Sequence, residues 1–185
     1  MKSKKFLAIA GILSLAIMSL SLAAIGATEA GVTATVTPGT ISVTLSTGSV
    51  AYGTVGVPSV DNVPTPDTII GANNSGGIPE NFQIKGADAT PGGGGSTTWK
   101  ITTGAVSGTS DYYYNHKFID CGSSSTCASP VAVNTMDKSY ESLATNVPAT
   151  GSDNRYFKLR LSTPTETGGD TTEHSTTATI LATAY

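Results

Sequence analysis

Charged side chains are scarce in this chain, and no cluster of basic ones follows its first residues. Asp, Glu, Lys and Arg make up 12% of the 185 residues, and the formal net charge is −3. Without Lys2, Lys4 and Lys5, seven cationic side chains face thirteen acidic ones, which leaves a net charge of −6. A surface that binds nucleic acid is basic. We therefore expect no nucleic-acid partner.

The short motifs of common catalytic sites are also missing. The chain contains no Gly-x-Ser-x-Gly, no His-Glu-x-x-His and no calcium-loop pattern. The positions of its two histidines do not indicate a catalytic triad. The glycines at 92–95 lack the strand–loop–helix context and the lysine of a phosphate-binding loop. A glycosidase site built from carboxylates on distant strands stays open as a third-ranked alternative. We expect a protein that is not an enzyme and has no cofactor.

One local group of side chains has the chemistry of a metal site, and it consists of Glu166, Asp170, Glu173 and His174. Oxygen ligands of this kind hold calcium on loops. The spacing fits no known loop geometry, and the Thr and Gly neighbours favour a solvated turn. Glu166, Asp170 and Glu173 are therefore only weak candidate ligands, and we expect no metal.

Cysteine occurs twice, as Cys121 and Cys127. An even number at short spacing in an exported chain indicates a disulfide. A metal site needs more ligands, and a redox pair is usually Cys-x-x-Cys. Closing so small a loop stabilises the fold by about 2.4 kcal/mol in the chain-entropy model.

The start of the chain has the pattern of a secretory signal peptide. Residues 1–5 carry three lysines, and an apolar run extends from Phe6 to about Ala27 with small residues at its end. We expect a helical signal at 1–27, cleaved after Ala27 or Ala30, and a secreted or cell-surface protein. An uncleaved anchor is the alternative, since about 20 apolar residues cross a bilayer. Only in that case would the protein contact a membrane.

Downstream of this segment the apolar residues alternate with polar ones at the period of β-strands. Ile41, Val43 and Leu45 alternate with Ser and Thr, and Arg155–Ser162 is the cleanest such stretch. Helical periodicity is not sustained anywhere. About nine to eleven strands separated by turn signals predict one all-β domain at 28–185. The expected architecture is an antiparallel β-sandwich, either immunoglobulin-like or jelly-roll.

Aromatic side chains mark the most plausible ligand site, which comprises Trp99, Tyr112, Tyr113 and Tyr114. Strand alternation places Tyr112, Tyr114, His116 and Phe118 on one side of their strand and Tyr113 on the other. Core packing is the favoured role of these rings. A carbohydrate-binding module would need at least two of them coplanar on one open face.

Short Thr- and Ser-rich strands at 33–36 and 40–45 follow the lysine-led signal directly. This arrangement resembles exported bacterial surface-fibre subunits of the camelysin-like biofilm-matrix class. The turn at 73–76 leading into 80–84 resembles immunoglobulin-like surface domains. The two likenesses cover about a third of the chain, and the cysteine pair departs from the first. They imply a β-sandwich that assembles or adheres outside the cell.

The segment at 31–36 is a candidate donor strand, because Val32, Ala34 and Val36 alternate with polar residues. Such a segment can add to an exposed sheet edge of a neighbouring subunit; the alternative is that it pairs within its own domain. We expect a non-enzymatic structural or adhesion protein, with filament or matrix assembly by strand addition as its mode. Its partners would be its own copies or other surface proteins. The alternative is a carbohydrate-binding module with a polysaccharide partner.

Overall fold

A computed structural model describes residues 36–108, 111–149, 154–166 and 170–185. The chain divides into two units, Met1–Thr37 and Pro38–Tyr185, and all the secondary structure given below belongs to the second. The predicted signal at 1–27, both cleavage positions, and Val32 and Ala34 of the donor segment lie outside the described residues. Within those residues, no helix has the length and apolar character needed to cross a membrane.

The protein is all-β, as the alternation predicts. The described residues contain eleven strands and no helix. The strands are β1 (Val43–Leu45), β2 (Ile70–Asn74), β3 (Glu80–Lys85), β4 (Thr90–Pro91), β5 (Lys100–Ile101), β6 (Tyr113–Asp120), β7 (Ala132–Met136), β8 (Glu141–Val147), β9 (Arg155–Ser162), β10 (His174–Ser175) and β11 (Thr179–Ala184).

The largest sheet has six strands in the order β1-β2-β9-β6-β5, with β7 also paired to β6. It is a curled, half-barrel sheet in which Phe118 pairs with Leu159 and Ile70 with Phe157. The prediction of purely antiparallel pairing is wrong at one place, because β5 runs parallel to β6. Ser107, between these two strands in the chain, forms an isolated antiparallel bridge with Tyr113 of β6.

Two smaller antiparallel sheets complete the fold. One has the order β11-β3-β8 and pairs Ile84 with Ile180 and Phe82 with Ala182. The other pairs β10 with β4, where His174 lies opposite Pro91. The sequence did not predict the division into three sheets or the short strand β4.

The core is one buried cluster to which the main sheet and the β11-β3-β8 sheet both contribute side chains. Phe82 and Ile84 of β3 belong to the same buried cluster as Tyr114, Phe118 and other side chains of the main sheet. Along β6, buried and half-buried residues alternate as a period of two requires. Each fully buried side chain of this size stabilises the fold by roughly 1.5–3 kcal/mol.

The predicted disulfide between Cys121 and Cys127 is present, with a Cα–Cα distance of 4.8 Å. It closes a loop between β6 and β7. The loop is also held to β9, since the Cys121 N–H donates to the Tyr156 carbonyl and the Tyr156 N–H donates to the Gly122 carbonyl, both at 2.8 Å. The bridge therefore fixes the end of the β6–β7 hairpin.

Candidate functional site

A cavity of about 1020 Å³ lies against one face of the main sheet. The sheet supplies its apolar wall, which consists of Ile70, Phe157, Leu159 and Leu161. Strand alternation directs Phe157, Leu159 and Leu161 of β9 to this side. Two segments rich in Ser, Thr and Gly, at 47–55 and 170–178, also line the cavity. The cavity thus combines an apolar wall with a hydroxyl-rich rim.

His116 is a buried polar residue in the lining of this cavity, with 2% of its surface exposed. Its Nε2 lies 3.4 Å from the Tyr52 hydroxyl, and its Nδ1 has no hydrogen-bond partner among the described residues. Burial lowers the pKa of His116 to about 4 and raises the pKa of Tyr52 above its ordinary value. Both side chains are therefore uncharged at neutral pH.

Trp99 lines another part of the cavity and stacks on His174. The ring centroids are 3.9 Å apart with an interplanar angle of 13°, so the imidazole covers one face of the indole. His174 is held by two carbonyl oxygens, with Nδ1 3.0 Å from that of Thr172 and Nε2 2.8 Å from that of Thr97. The indole Nε1 is buried and has no hydrogen-bond partner in the part of the chain that the structure describes.

Asp170 ties together two loops at the rim. Its carboxylate accepts hydrogen bonds from the Thr172 hydroxyl at 2.6 Å and from the N–H groups of Thr172, Thr97 and Ser96 at 2.9, 3.1 and 3.0 Å. These donors, the Thr172 hydroxyl first, hold the pKa of Asp170 well below its usual range. The carboxylate oxygens are thus engaged within the protein, which is a structural role.

The sequence grouped Asp170 with Glu166, Glu173 and His174. The structure brings Asp170, Glu173 and His174 to the cavity and leaves Glu166 out of its lining. Glu166 and Glu173 are exposed. Across the described ranges, no three His, Cys, Asp or Glu side chains are placed so that they could hold a metal ion.

The aromatic residues that the sequence singled out have different environments. Trp99 is 7% exposed and Tyr114 is fully buried, and their rings are tilted by 51°. The Tyr114 hydroxyl bonds to the Ala87 carbonyl and to the Thr176 hydroxyl, and burial raises its pKa. Tyr112 is half-buried against the core. Tyr113 is half-buried on the other side of β6, with its hydroxyl 3.4 Å from the Asp111 carboxylate.

The pairing of His116 with Tyr52 is the part of this site that the sequence did not reveal. Alternation placed His116 on the same side of its strand as Tyr112, Tyr114 and Phe118. Nothing in the sequence indicated that two side chains 64 residues apart would meet. The only signal was a polar ring among the aromatic side chains on one side of β6.

Comparisons with family models, with curated proteins and with solved structures each find no match for this chain. The resemblance to surface-fibre subunits stays a prediction.

Proposed function

We propose that the chain is a secreted or cell-surface structural or adhesion protein that is not an enzyme and assembles with its own copies by strand addition. The observation that carries this proposal is the outer edge of β7. Val133 of this strand is 58% exposed, and Val131 just before it is 70% exposed. Two large apolar side chains thus stand beside an unprotected edge.

Among the described residues, β7 pairs only with β6, so its second backbone edge has no strand partner. Natural proteins usually protect such an edge with charge, proline or a covering segment. The sequence of β7, Ala-Val-Asn-Thr-Met, contains neither charge nor proline. The edge is therefore suited to pair with a further strand.

The other edges are less suitable acceptors. Strand β1 has only three residues. Strand β11 has no large apolar side chain exposed to the degree of Val133, and β8 begins with Glu141. These differences favour β7.

The proposed donor is the segment at 31–36. Its Val32, Ala34 and Val36 are spaced two apart, as are Val131 and Val133, which suits side-by-side strands. Val36 is the member of this set that the structure describes, and it is 90% exposed. An immunoglobulin-like or jelly-roll sandwich is the finer architecture that we propose with this function, supported by the buried cluster that the main sheet shares with the β11-β3-β8 sheet.

The carbohydrate-binding alternative has less support. It needs open, coplanar rings, whereas Trp99 and Tyr114 are buried and tilted. Only Tyr112 and Tyr113 keep partial exposure. We therefore rank self-assembly first.

The test combines sedimentation with electron microscopy of the secreted protein. Val133→Lys should abolish polymers, because a charge at an edge opposes strand pairing. Val60→Lys is the matched control, since Val60 is 70% exposed against 58% for Val133 but lies in a loop, and it should leave polymers intact. Deletion of residues 31–36 should also give monomers.

A mixture of the two inactive variants makes the test specific. Val133→Lys keeps the donor and the deletion variant keeps the acceptor, so together they should form a 1:1 dimer that grows no further. Wild-type protein that stays monomeric would overturn the proposal. Polymers of Val133→Lys would exclude β7 as the acceptor.

A further inference from the structure

Among the described residues, the main sheet ends on one side at β1, which pairs only with β2. Backbone hydrogen bonds extend the paired stretch beyond the bounds of β1. At its start the Gly77 N–H donates to the Thr40 carbonyl at 2.8 Å. At its end the Ser46 N–H donates to the Gly71 carbonyl, also at 2.8 Å. The strand at this edge is therefore the stretch 40–46, with the sequence Thr-Ile-Ser-Val-Thr-Leu-Ser, which we call the edge segment.

The even-numbered residues of the edge segment direct their backbone groups toward β2. The Ser42 carbonyl, for example, accepts a hydrogen bond from the Ser75 N–H at 2.9 Å. In an antiparallel pair, successive residues of a strand direct their N–H and C=O groups to opposite sides. The backbone groups of Ile41, Val43 and Leu45 therefore point to the open edge.

The edge segment has none of the usual features that keep a further strand away. It contains neither charge nor proline. Its residues are exposed, except for Val43, which is half-buried. Ile41 is 48% exposed and Leu45 is 41% exposed. Outward backbone groups thus lie beside accessible aliphatic side chains.

The order of side chains in the edge segment is symmetric about Val43. In both directions from this residue, the chain has a hydroxyl residue, then an aliphatic one, then a second hydroxyl residue. An antiparallel copy centred on Val43 would place Ile41 opposite Leu45 and each hydroxyl residue opposite another. Cross-strand pairs of these kinds stabilise sheets. The segment is therefore complementary to itself, as a two-fold contact requires.

We propose that the edge segment pairs with the edge segment of a second copy of this chain, antiparallel and centred on Val43. In this register, all three outward-facing residues of one copy lie opposite those of the other. Each opposed pair then exchanges two backbone hydrogen bonds. A two-fold contact closes on itself, so it joins copies in pairs. It is separate from the strand addition proposed at β7 and does not depend on it.

The proposed contact is weak between free subunits. Seven residues of each copy bury less surface than the roughly 1,200 Å² of a stable interface. We therefore expect a dissociation constant of roughly 0.1–1 mM, and no pairing at micromolar concentration. Where many copies lie along a fibre, the same contact repeats and would hold two fibres side by side.

The test uses Val133→Lys protein, in which the proposed addition at β7 is blocked. Between about 10 μM and 1 mM, its average mass in sedimentation equilibrium should rise from the monomer toward the dimer. A second substitution, Ile41→Lys, should weaken the dimer more than about tenfold, because it places a charge on the edge. Val63→Lys is the matched control, since Val63 is 42% exposed against 48% for Ile41 but lies in a loop. It should leave the dissociation constant unchanged.

Cysteine cross-linking tests the register. In the proposed pair the two Val43 Cα atoms lie about 5.5 Å apart, as in any hydrogen-bonded antiparallel pair, and a disulfide can bridge this distance. Val43→Cys in the Val133→Lys protein should therefore give a covalent dimer on mild oxidation, seen by non-reducing electrophoresis. The two Thr44 residues would be diagonal neighbours about 7–8 Å apart. Thr44→Cys should accordingly cross-link at least about tenfold more slowly.

Three results would overturn the proposal. They are Val133→Lys protein that stays monomeric at the highest concentration, an unchanged dissociation constant in a folded Ile41→Lys variant, and cross-linking of Thr44→Cys as fast as that of Val43→Cys. Circular dichroism shows whether each variant is folded, and the cysteine variants decide the matter if Ile41→Lys is not. Polymers of the wild type report on β7 alone, so either contact can fail without the other.

Discussion

Among single residues, Asn74 makes the densest set of side-chain hydrogen bonds in the β2–β3 region. It is 1% exposed. Its amide donates to the carbonyls of Ile78 at 2.8 Å and Val147 at 2.9 Å, and its Oδ1 accepts from the Gly76 N–H at 2.8 Å. One side chain thus joins the β2–β3 turn to the end of β8.

We expect Asn74→Ala to lower the free energy of unfolding by about 2–4 kcal/mol, because three backbone groups lose their partner in a buried place. Urea denaturation followed by circular dichroism measures this. Asn73→Ala is the matched control: it removes the same atoms one residue away, where Oδ1 has no hydrogen-bond partner among the described residues. It should cost less than about 1 kcal/mol. Similar losses for the two variants would contradict the assignment.

Among the structural elements, the β6–β7 hairpin depends on the bridge between Cys121 and Cys127. The Cys121→Ser/Cys127→Ser double variant should keep a β-rich circular dichroism spectrum and lose about 2 kcal/mol of stability, since the loop of the unfolded chain is no longer closed. The measurement is urea unfolding with and without a thiol reductant. Wild type should lose stability in the reductant, and the double variant should not respond. A wild type as stable reduced as oxidised would refute the structural role of the bridge.

The strands that the sequence predicts best are those with uninterrupted alternation. Arg155–Ser162 is β9 with the bounds that the alternation predicts, and the inward set of β6 follows from a period of two. The two-residue strand β4 carries no periodic signal, because alternation needs several residues to be visible. Its pairing with β10 joins segments far apart in the chain, which are also linked by the hydrogen bonds from Ser96 and Thr97 to Asp170.

Part of the candidate site could also be predicted. The position of His116 on the same side of β6 as Tyr114 and Phe118 follows from strand alternation. The cavity does not, because it forms where the loop at 47–55 and the segment at 170–178 meet the main sheet. These two segments are more than 100 residues apart in the chain, so no local sequence pattern predicts that they come together.

For the molecule as a whole, ionic interactions lie at the surface. Lys117 pairs with Asp61 at 2.7 Å, and Lys158 and Arg160 both pair with Asp67, at 2.8 and 3.2 Å. The hydrogen bond from Lys158 lowers the pKa of Asp67. Each such exposed pair contributes at most about 1 kcal/mol. Stability therefore rests mainly on the apolar core and not on these pairs.

The stability of the whole molecule should vary with pH through His116. The pKa of this residue falls from 6.5 to about 4 on folding because of burial. Between these values the unfolded chain binds a proton that the folded chain does not, so stability is full above pH 6.5 and is lost as the pH falls toward 4. The loss should be about 3 kcal/mol, measured as the free energy of unfolding in urea at each pH.

His116→Leu should remove this dependence between pH 6.5 and 4. Tyr52→Phe should keep it, because burial rather than the Tyr52 hydroxyl sets the pKa. A His116→Leu variant with the wild-type slope would show that another group controls the effect.

The disulfide lies shortly before strand β7 in the chain, so it restricts the conformations of the residues that lead into this strand. A strand with fewer conformations loses less entropy when a neighbour joins it. Under the proposed mode of assembly, reduction of the disulfide would weaken the association between subunits. This would happen at a thiol concentration that leaves each subunit folded. The redox chemistry of the surroundings would then decide how long a fibre lasts.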